Sequence, residues 1–313
     1  TIDINLQDIT EEALLRAMNY HDAEWGTAIV MEVQTGAIKA VANLGRTSEG
    51  WWETYNHAIG SAIEPGSTFK LASVMALLED EYVDLDDVVD IEGGRTQFYD
   101  EELVDASSYL QKLDTITVKE AFKLSSNVGI SKLVNRHYGE PTAANDEEGA
   151  ARFIRRMKDF NLHLPTGIQI DGEANPYIKE AYSEEDQWSG TTLPWMSIGY
   201  EVRLTPLQLL NFYNTVANGG RMMKPYLVSE IQRFGETVET FKPTVIRQRI
   251  AERETIDKVR ELLEAVVEDG TAYELKTDRY RFAGKTGTAQ IDYRRGRRRT
   301  YIGGYQASFA GYF

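Results

Sequence analysis

The stretch from Ile63 to Leu78 constrains this chain more than any other. Ile63-Glu64-Pro65-Gly66-Ser67-Thr68-Phe69-Lys70 leads into Leu71, Ala72, Val74, Met75, Leu77 and Leu78, then meets the acidic Glu79-Asp80-Glu81. The Pro-Gly pair halts whatever precedes it, and Ser67 or Thr68 starts a helix. That helix is apolar nearly all the way round, so it belongs inside a core rather than on a surface. Ser67 and Lys70 are three residues apart and share one face of its first turn. A lysine there is desolvated and faces the positive end of the helix dipole, and both effects favour the neutral amine. A neutral amine beside a hydroxyl is a general base beside a nucleophile.

A buried helix needs a sizeable core around it, and 313 residues with a 42 % hydrophobic share can build one. The formal charge of −15 argues against nucleic acid or an anionic membrane as partner. Cysteine is absent, which removes disulfides, thiolate chemistry and Cys-based zinc sites. His21, His57, His137 and His163 are scattered without an i, i+4 pair, so neither a metal nor another cofactor is expected. No apolar run reaches the roughly 18 residues that a spanning helix needs. The chain lacks a starting Met and a visible signal peptide, and it reads as a piece of a longer protein.

Leu6, Ile9, Leu14, Leu15 and Met18 form a helical stripe near the start. Thr27–Val33 and Ile38–Ala42 flank a Gln34-Thr35-Gly36 turn and predict a hairpin near the middle of a sheet. Residues 43–62 read as irregular, with Trp51 and Trp52 packed under a loop, and 81–116 as loop with short elements. Thr117-Val118-Lys119-Glu120 is a capping box; the helix it opens halts at Ser125-Ser126-Asn127, and a second stripe runs on to Gly139. A polar linker spans Glu140 to Glu148 before an amphipathic helix carrying Phe153, Ile154, Met157 and Phe160. Residues 164–200 read as a long excursion. Thr205-Pro206 opens a helix that Asn218-Gly219-Gly220 ends, and Thr255 opens another that closes at Gly270. Tyr226–Phe241 suggests peripheral strands. Ala283–Ile291 and Tyr301–Phe313 are strands flanking a basic loop. The order predicts an α+β fold with a mostly antiparallel sheet. An α/β lobe is expected at about 20–62 and 221–313, and a helical lobe at about 63–220.

Ser67-x-x-Lys70, Ser125-Ser126-Asn127 and Lys285-Thr286-Gly287 are each weak signals alone. In this order, on these elements, they match the signature shared by class A β-lactamases and penicillin-binding proteins. The chain resembles the transpeptidase domain of class B penicillin-binding proteins, most closely the cell-division type. The resemblance rests on Glu64–Lys70, Ser125–Gly129, Thr205-Pro206-Leu207-Gln208, Ala217–Gly220, Gly284–Ala289 and Ser308–Tyr312, and runs from about residue 25 to the end. It implies a single domain over residues 1–313 with the β-lactamase/transpeptidase-like fold, an antiparallel sheet flanked by helices. It also implies one more strand and a C-terminal helix beyond Phe313, without which residues 1–313 alone are expected to have unpaired sheet edges and low stability.

The resemblance further implies a peptidoglycan D,D-transpeptidase. Ser67 would attack the bond between the terminal D-alanines of a stem peptide, and Lys70 would take its proton. Ser125 would relay a proton to the leaving amine, and Asn127 would bind the substrate amide and orient Lys70. Lys285, Thr286 and Thr288 would hold the terminal carboxylate, with Gly287 giving the strand close approach. The backbone N–H groups of Ser67 and Thr288 would form the oxyanion hole. β-Lactam antibiotics would acylate Ser67. Implied partners are a glycosyltransferase and membrane proteins of the division complex, and the implied location is the inner membrane, with a single-span anchor outside these residues and the catalytic domain in the periplasm. Of the two lysines, Lys70 is expected to be neutral and Lys285, on a strand open to the cleft, to stay charged.

Two rivals remain. A serine β-lactamase would need a base for deacylation, and no Glu-x-x-Leu-Asn segment lies between Asn127 and Lys285, while Ser126 stands where such enzymes usually carry Asp. A β-lactam sensor would keep the same side chains. Glu201 is a departure, because relatives are expected to carry a small residue there. The Arg294–Arg299 cluster is better read as a solvated loop or a polymer contact than as a nucleic-acid site. The Asp171 and Glu173 spacing makes a glycosidase pair improbable.

Overall fold

The computed structural model describes residues 1–139, 148–295 and 300–313; for 148, 291–295 and 300–303 only the backbone is described. Most of the expected polar linker (140–147) and of the arginine cluster (296–299) therefore falls outside what is described. The chain begins with α1 (Ile4–His21), β1 (Trp25–Met31), β2 (Ile38–Thr47), β3 (Gly50–Trp52) and α2 (His57–Gly60). A 3₁₀ turn at Gly66–Phe69 leads directly into α3 (Lys70–Glu79). Short strands follow, β4 (Val88–Asp90), β5 (Arg95–Phe98), β6 (Glu101–Val104) and β7 (Thr115–Thr117), then α4 (Val118–Lys123), α5 (Asn127–Val134) and α6 (Glu148–Asp159). Next come β8 (Tyr177–Ile178), α7 (Thr192–Met196), β9 (Val202–Arg203), α8 (Pro206–Ala217) and β10 (Met222–Met223). The chain closes with β11 (Glu230–Arg233), β12 (Glu236–Thr240), β13 (Val245–Arg247), α9 (Arg253–Asp269), β14 (Ala283–Arg295) and β15 (Thr300–Tyr312).

Contacts divide the chain into two units. The first holds Thr1–Ile63, Asn161–Tyr177 and Leu204–Ile250. Its sheet runs β1-β2-β3, antiparallel, with β2 in the middle. Residues 43–62 are more regular than expected. β2 continues to Thr47 and turns through two residues into β3, because Trp51 donates its indole N–H to the Ala23 carbonyl at 2.7 Å and Arg46 stacks over its ring. The helix α1 lies on β1 and β2, though of its expected stripe Met18 is buried while Ile9 and Leu15 stay exposed. Ile38, Ala58, Ile59 and Leu207 form a small core beneath α8. Thr205 and Gln208 cap α8 reciprocally. Glu173 accepts from the Thr166 and Gly167 N–H groups at 2.7 and 2.9 Å, so its carboxylate organises a loop.

The second unit holds Glu64–Phe160, Ile178–Arg203 and Ala251–Phe313. The division by contacts differs from the lobe boundaries expected from the sequence on three counts. Asn161–Tyr177 groups with the first unit. The helix α8 groups with the opening hairpin, since it packs on α2 and β1. The segment 251–313 groups with the helices, since β14 packs on α9 and on the Gly66–Phe69 turn, and α9 packs on α3 and α4. Every residue of α3 from Lys70 to Leu78 is buried, as its apolar circumference requires. The helices α4, α5, α6 and α9 surround it. Among the described residues, no helix is long and apolar enough to cross a membrane.

Candidate active site

Ser67 lies in a 3₁₀ turn rather than in the first turn of an α-helix, and Lys70 follows as its cap residue. The tighter winding places i and i+3 on one line. Lys70 donates its backbone N–H to the Ser67 carbonyl and begins α3. Pro65, Gly66, Thr68 and Phe69 are buried, and Ser67 alone in that turn keeps partial exposure. Two glycines make this packing possible. Gly66 has φ +55°, and a Cβ there would fall 3.0 Å from the Thr288 carbonyl oxygen. Gly199, at φ +92°, accepts from the Gly66 N–H at 3.1 Å, and a Cβ there would fall 2.0 Å from the Gly66 carbonyl oxygen. The Gly66–Phe69 turn, with the expected nucleophile Ser67, thus lies against β14 at Thr288, where the expected second oxyanion donor resides.

The second motif arrives at the junction of α4 and α5. Thr117 and Glu120 form the expected capping box on α4, and Ser126 caps α5 by accepting from the Gly129 N–H at 2.8 Å. Between the two helices Ser125 takes φ +59°, a left-handed conformation that a non-glycine residue rarely adopts. This turn points both its carbonyl and its hydroxyl at Lys70, whose Nζ donates to Ser125 O at 2.8 Å, to Ser125 Oγ at 3.2 Å and to Asn127 Oδ1 at 2.7 Å. Lys285, on β14 opposite Ala310 of β15, donates to the same Ser125 Oγ at 2.8 Å and to the Thr286 carbonyl at 3.0 Å. One hydroxyl therefore accepts from two lysines. Thr286 shares a 2.6 Å hydrogen bond with Thr271, just past α9. Gly287 pairs with Ser308, and its missing Cβ leaves room for Thr68 and Pro65.

Both ammonium groups are fully buried. Burial pushes Lys70 down to about 7, against the opposing attraction of Asp105. Lys285 differs from expectation. It is as buried as Lys70, not open to a cleft, and burial with repulsion from Lys70 drives it well below the ordinary lysine range. The reason is packing that the strand pattern does not reveal, with Phe122 of α4 lying 5.9 Å from its Nζ.

One participant escaped the sequence reading. Asp105, just past β6, is 1 % exposed. It accepts from the Asn127 and Val128 N–H groups and from Ser126 Oγ. Nothing local marks it, because it stands among many acidic residues in a stretch without periodicity. Glu201 is also at odds with a generic residue. It sits at φ +60°, pairs with Lys179, and its N–H donates to Glu64 beside the Gly66–Phe69 turn. Glu64 itself is pushed up, first by burial.

The Ser125 hydroxyl, Asn127 and two buried lysines thus meet in one cluster close to the Gly66–Phe69 turn. The penicillin binding protein transpeptidase domain family matches residues 26–313, and this chain belongs to it. It is similar to penicillin-binding protein PbpB of Mycobacterium tuberculosis, 29 % identical over 307 residues, covering 93 % of this chain and 42 % of that protein. It is similar also to peptidoglycan D,D-transpeptidase FtsI of Escherichia coli K12, 28 % identical over 321 residues, covering 99 % of this chain and 48 % of that protein. The chain thus spans under half the length of these curated relatives. Penicillin binding protein 3 of M. tuberculosis, solved without ligand, superposes with a TM-score of 0.81 at 27 % identity, covering 99 % of this chain and 68 % of that one. The same protein has been solved with ampicillin and with aztreonam. The fold is the β-lactamase/transpeptidase fold.

Proposed function

We propose that the protein is a serine-type peptidoglycan D,D-transpeptidase of bacterial cell-wall synthesis, acting at division and inhibited covalently by β-lactams. The observation that carries this reading is the Ser125 hydroxyl accepting from Lys70 and Lys285 at 3.2 and 2.8 Å, with Asn127 fixing Lys70 at 2.7 Å. Neutral Lys70 takes the Ser67 hydroxyl proton as Oγ bonds to the carbonyl carbon between the two terminal D-alanines. The negative charge gathers on the carbonyl oxygen against the N–H groups of Ser67 and Thr288, a type of contact that contributes about 3–4 kcal/mol per donor. The C–N bond breaks, Ser125 passes a proton to the departing D-alanine amine, and an ester on Ser67 remains. The amine of a second stem peptide then attacks, the ester C–O bond breaks, and Ser67 regains its proton through the same path. Asn127 holds the substrate amide. Thr286 and Thr288 bind the terminal carboxylate, whose arrival raises Lys285 towards its charged form. Gly287 lets the peptide backbone approach.

The same resemblance supports an extracytoplasmic site of action, a membrane anchor on residues outside this chain, and a glycosyltransferase and other division proteins as partners. The test is labelling with a fluorescent penicillin, alongside cross-linking of lipid-linked peptidoglycan by the full-length protein beside a competent glycosyltransferase. A long-lived adduct lost in Ser67→Ala, together with cross-linked product, is the expected outcome. Rapid release of hydrolysed drug would indicate a β-lactamase, and an adduct without cross-linking would indicate a sensor.

A further inference from the structure

The second motif does not stand by its own turn. Asn127 is gripped from one side by the end of β6. Val104 accepts from its side-chain Nδ2 at 3.3 Å, and Asp105 accepts from its backbone N–H and, at 3.0 Å, from that of Val128. The other Asp105 oxygen accepts from Ser126 Oγ at 2.8 Å. With one Nδ2 hydrogen donated to Val104, the amide presents Oδ1 to Lys70, the orientation in which it can accept from the ammonium or the amine and still has a second Nδ2 hydrogen to donate. Asp105 is itself fixed. Its N–H donates to Gly94 O at 2.9 Å, and its carbonyl accepts from Gln111 Nε2 at 2.9 Å. The segment 81–116, irregular in the sequence, thus carries a hydrogen-bonded support for the site at Val104 and Asp105.

We propose that Asp105 is a positioning residue of this site, whose buried carboxylate orients Asn127 and supplies the negative charge that keeps Lys70 a competent base. The proposal rests on the reading of Lys70 as the base for Ser67. Among the described residues Lys70 touches no carboxylate; its direct partners are Ser125 and Asn127. The charged group that acts on it is Asp105, which attracts it, while Lys70 in turn pushes down Lys285 on β14. Other charges on the surrounding helices are committed elsewhere. Lys123 of α4 pairs with Asp269 and Lys132 of α5 with Glu92, while Arg152 and Arg156 of α6 both pair with Asp80. On α9, Glu261 pairs with Lys119 and Lys258 with Asp84 and Glu254. A base works best when its proton affinity lies near the working pH. Two mutually repelling buried lysines would fall below that range, and a buried carboxylate one residue layer away counters the fall. A simple helix cap would account for the N–H contacts of Asp105 but would leave the pH dependence of the chemistry untouched.

The test is the rate of Ser67 acylation by a fluorescent penicillin, followed from pH 5.5 to 9 in the unmodified protein and in Asp105→Asn. The asparagine keeps an acceptor for the Asn127 and Val128 N–H groups and removes the charge. The expected result is an acid limb displaced to lower pH, since Lys70 loses its attraction to a negative charge, with a plateau lowered about tenfold by the weaker base. A lowered plateau on an unmoved limb would overturn the proposal and leave Asp105 a structural cap. If Asp105→Asn does not fold, Ser126→Ala carries the test. It removes the donor that offsets the carboxylate while keeping the charge, so the limb should move to higher pH, and an unmoved limb again overturns the proposal. If the unmodified protein is not acylated at Ser67, the transpeptidase reading fails and takes this inference with it. An ordinary acylation profile in the unmodified protein with unmoved limbs in the variants sinks this inference alone.

Discussion

The two ends of α3 each bury an ionisable side chain and treat it in opposite ways. At the C-terminal end, the Asp80 side chain is fully buried and surrounded by donors. Arg156 Nε donates to it at 2.8 Å, Tyr138 Oη at 2.6 Å and Arg152 Nε at 3.0 Å. Burial pushes this carboxylate up, but Arg156, Tyr138 and Arg152 together hold it below the ordinary range. At the N-terminal end, Lys70 is equally buried and meets only neutral acceptors, with one carboxylate at second remove and a second lysine beside it. The first arrangement satisfies a charge and ties α6 to α3. The second leaves an amine close to losing its proton, which is what a base requires. Burial alone therefore does not distinguish structure from chemistry; the partner set does.

The comparison can be broken at either end. The largest effect is expected from Lys70→Met, which should lower the rate of Ser67 acylation by about a thousandfold. Its effect on stability has the opposite sign. Unfolded Lys70 holds its proton up to about 10.5, and folded Lys70 only up to about 7, so between those values the unfolded state binds more protons. Stability contributed by this group rises with pH through that window and is a deficit at neutral pH. Methionine removes the deficit, and calorimetry should show a melting temperature unchanged or raised by a few degrees. A drop of many degrees would mean that Lys70 is a structural residue like Asp80.

Asp80→Ala should do the reverse. Denaturant unfolding should show a loss of about 3 kcal/mol, because Arg156, Arg152 and Tyr138 lose a shared partner, while acylation per folded molecule changes less than threefold. The acid response separates the ends further. With its folded value depressed, Asp80 contributes stability that is present above the unfolded carboxylate value of about 3.9 and is lost as pH falls through the lower folded value. Asp80→Asn should flatten the decline in stability below about pH 4, and an unchanged slope would contradict the ion-pair account. The smallest effect belongs to Arg152→Ala, at most about 1 kcal/mol, since that side chain is 45 % exposed and Arg156 remains.

The same contrast explains how much could be read from the chain alone. The capping box at Thr117 and the helix start at Thr205-Pro206 were legible because their signals lie within a few residues of one another. The burial of Lys70 was legible because an all-round apolar helix has nowhere else to go. The left-handed turn at Ser125 was not, since its conformation is held by contacts with α3 and β14 that no local pattern encodes. Lys285 looked exposed because a Gly- and Thr-rich strand carries little hydrophobic signal, yet α9 and α4 cover it. Asp105 lay hidden among Asp100, Glu101 and Glu102, and only the fold shows which of these carboxylates turns inward.

The central claim is that Lys70 is poised to act as a base in the free protein. It is tested most directly by titrating the lysine side chains with ¹³Cε-labelled lysine, using Lys70→Met to assign the signal. The account predicts a midpoint for Lys70 near 7. An ordinary midpoint near 10.5, with Ser67 still acylating at full rate at neutral pH, would contradict it.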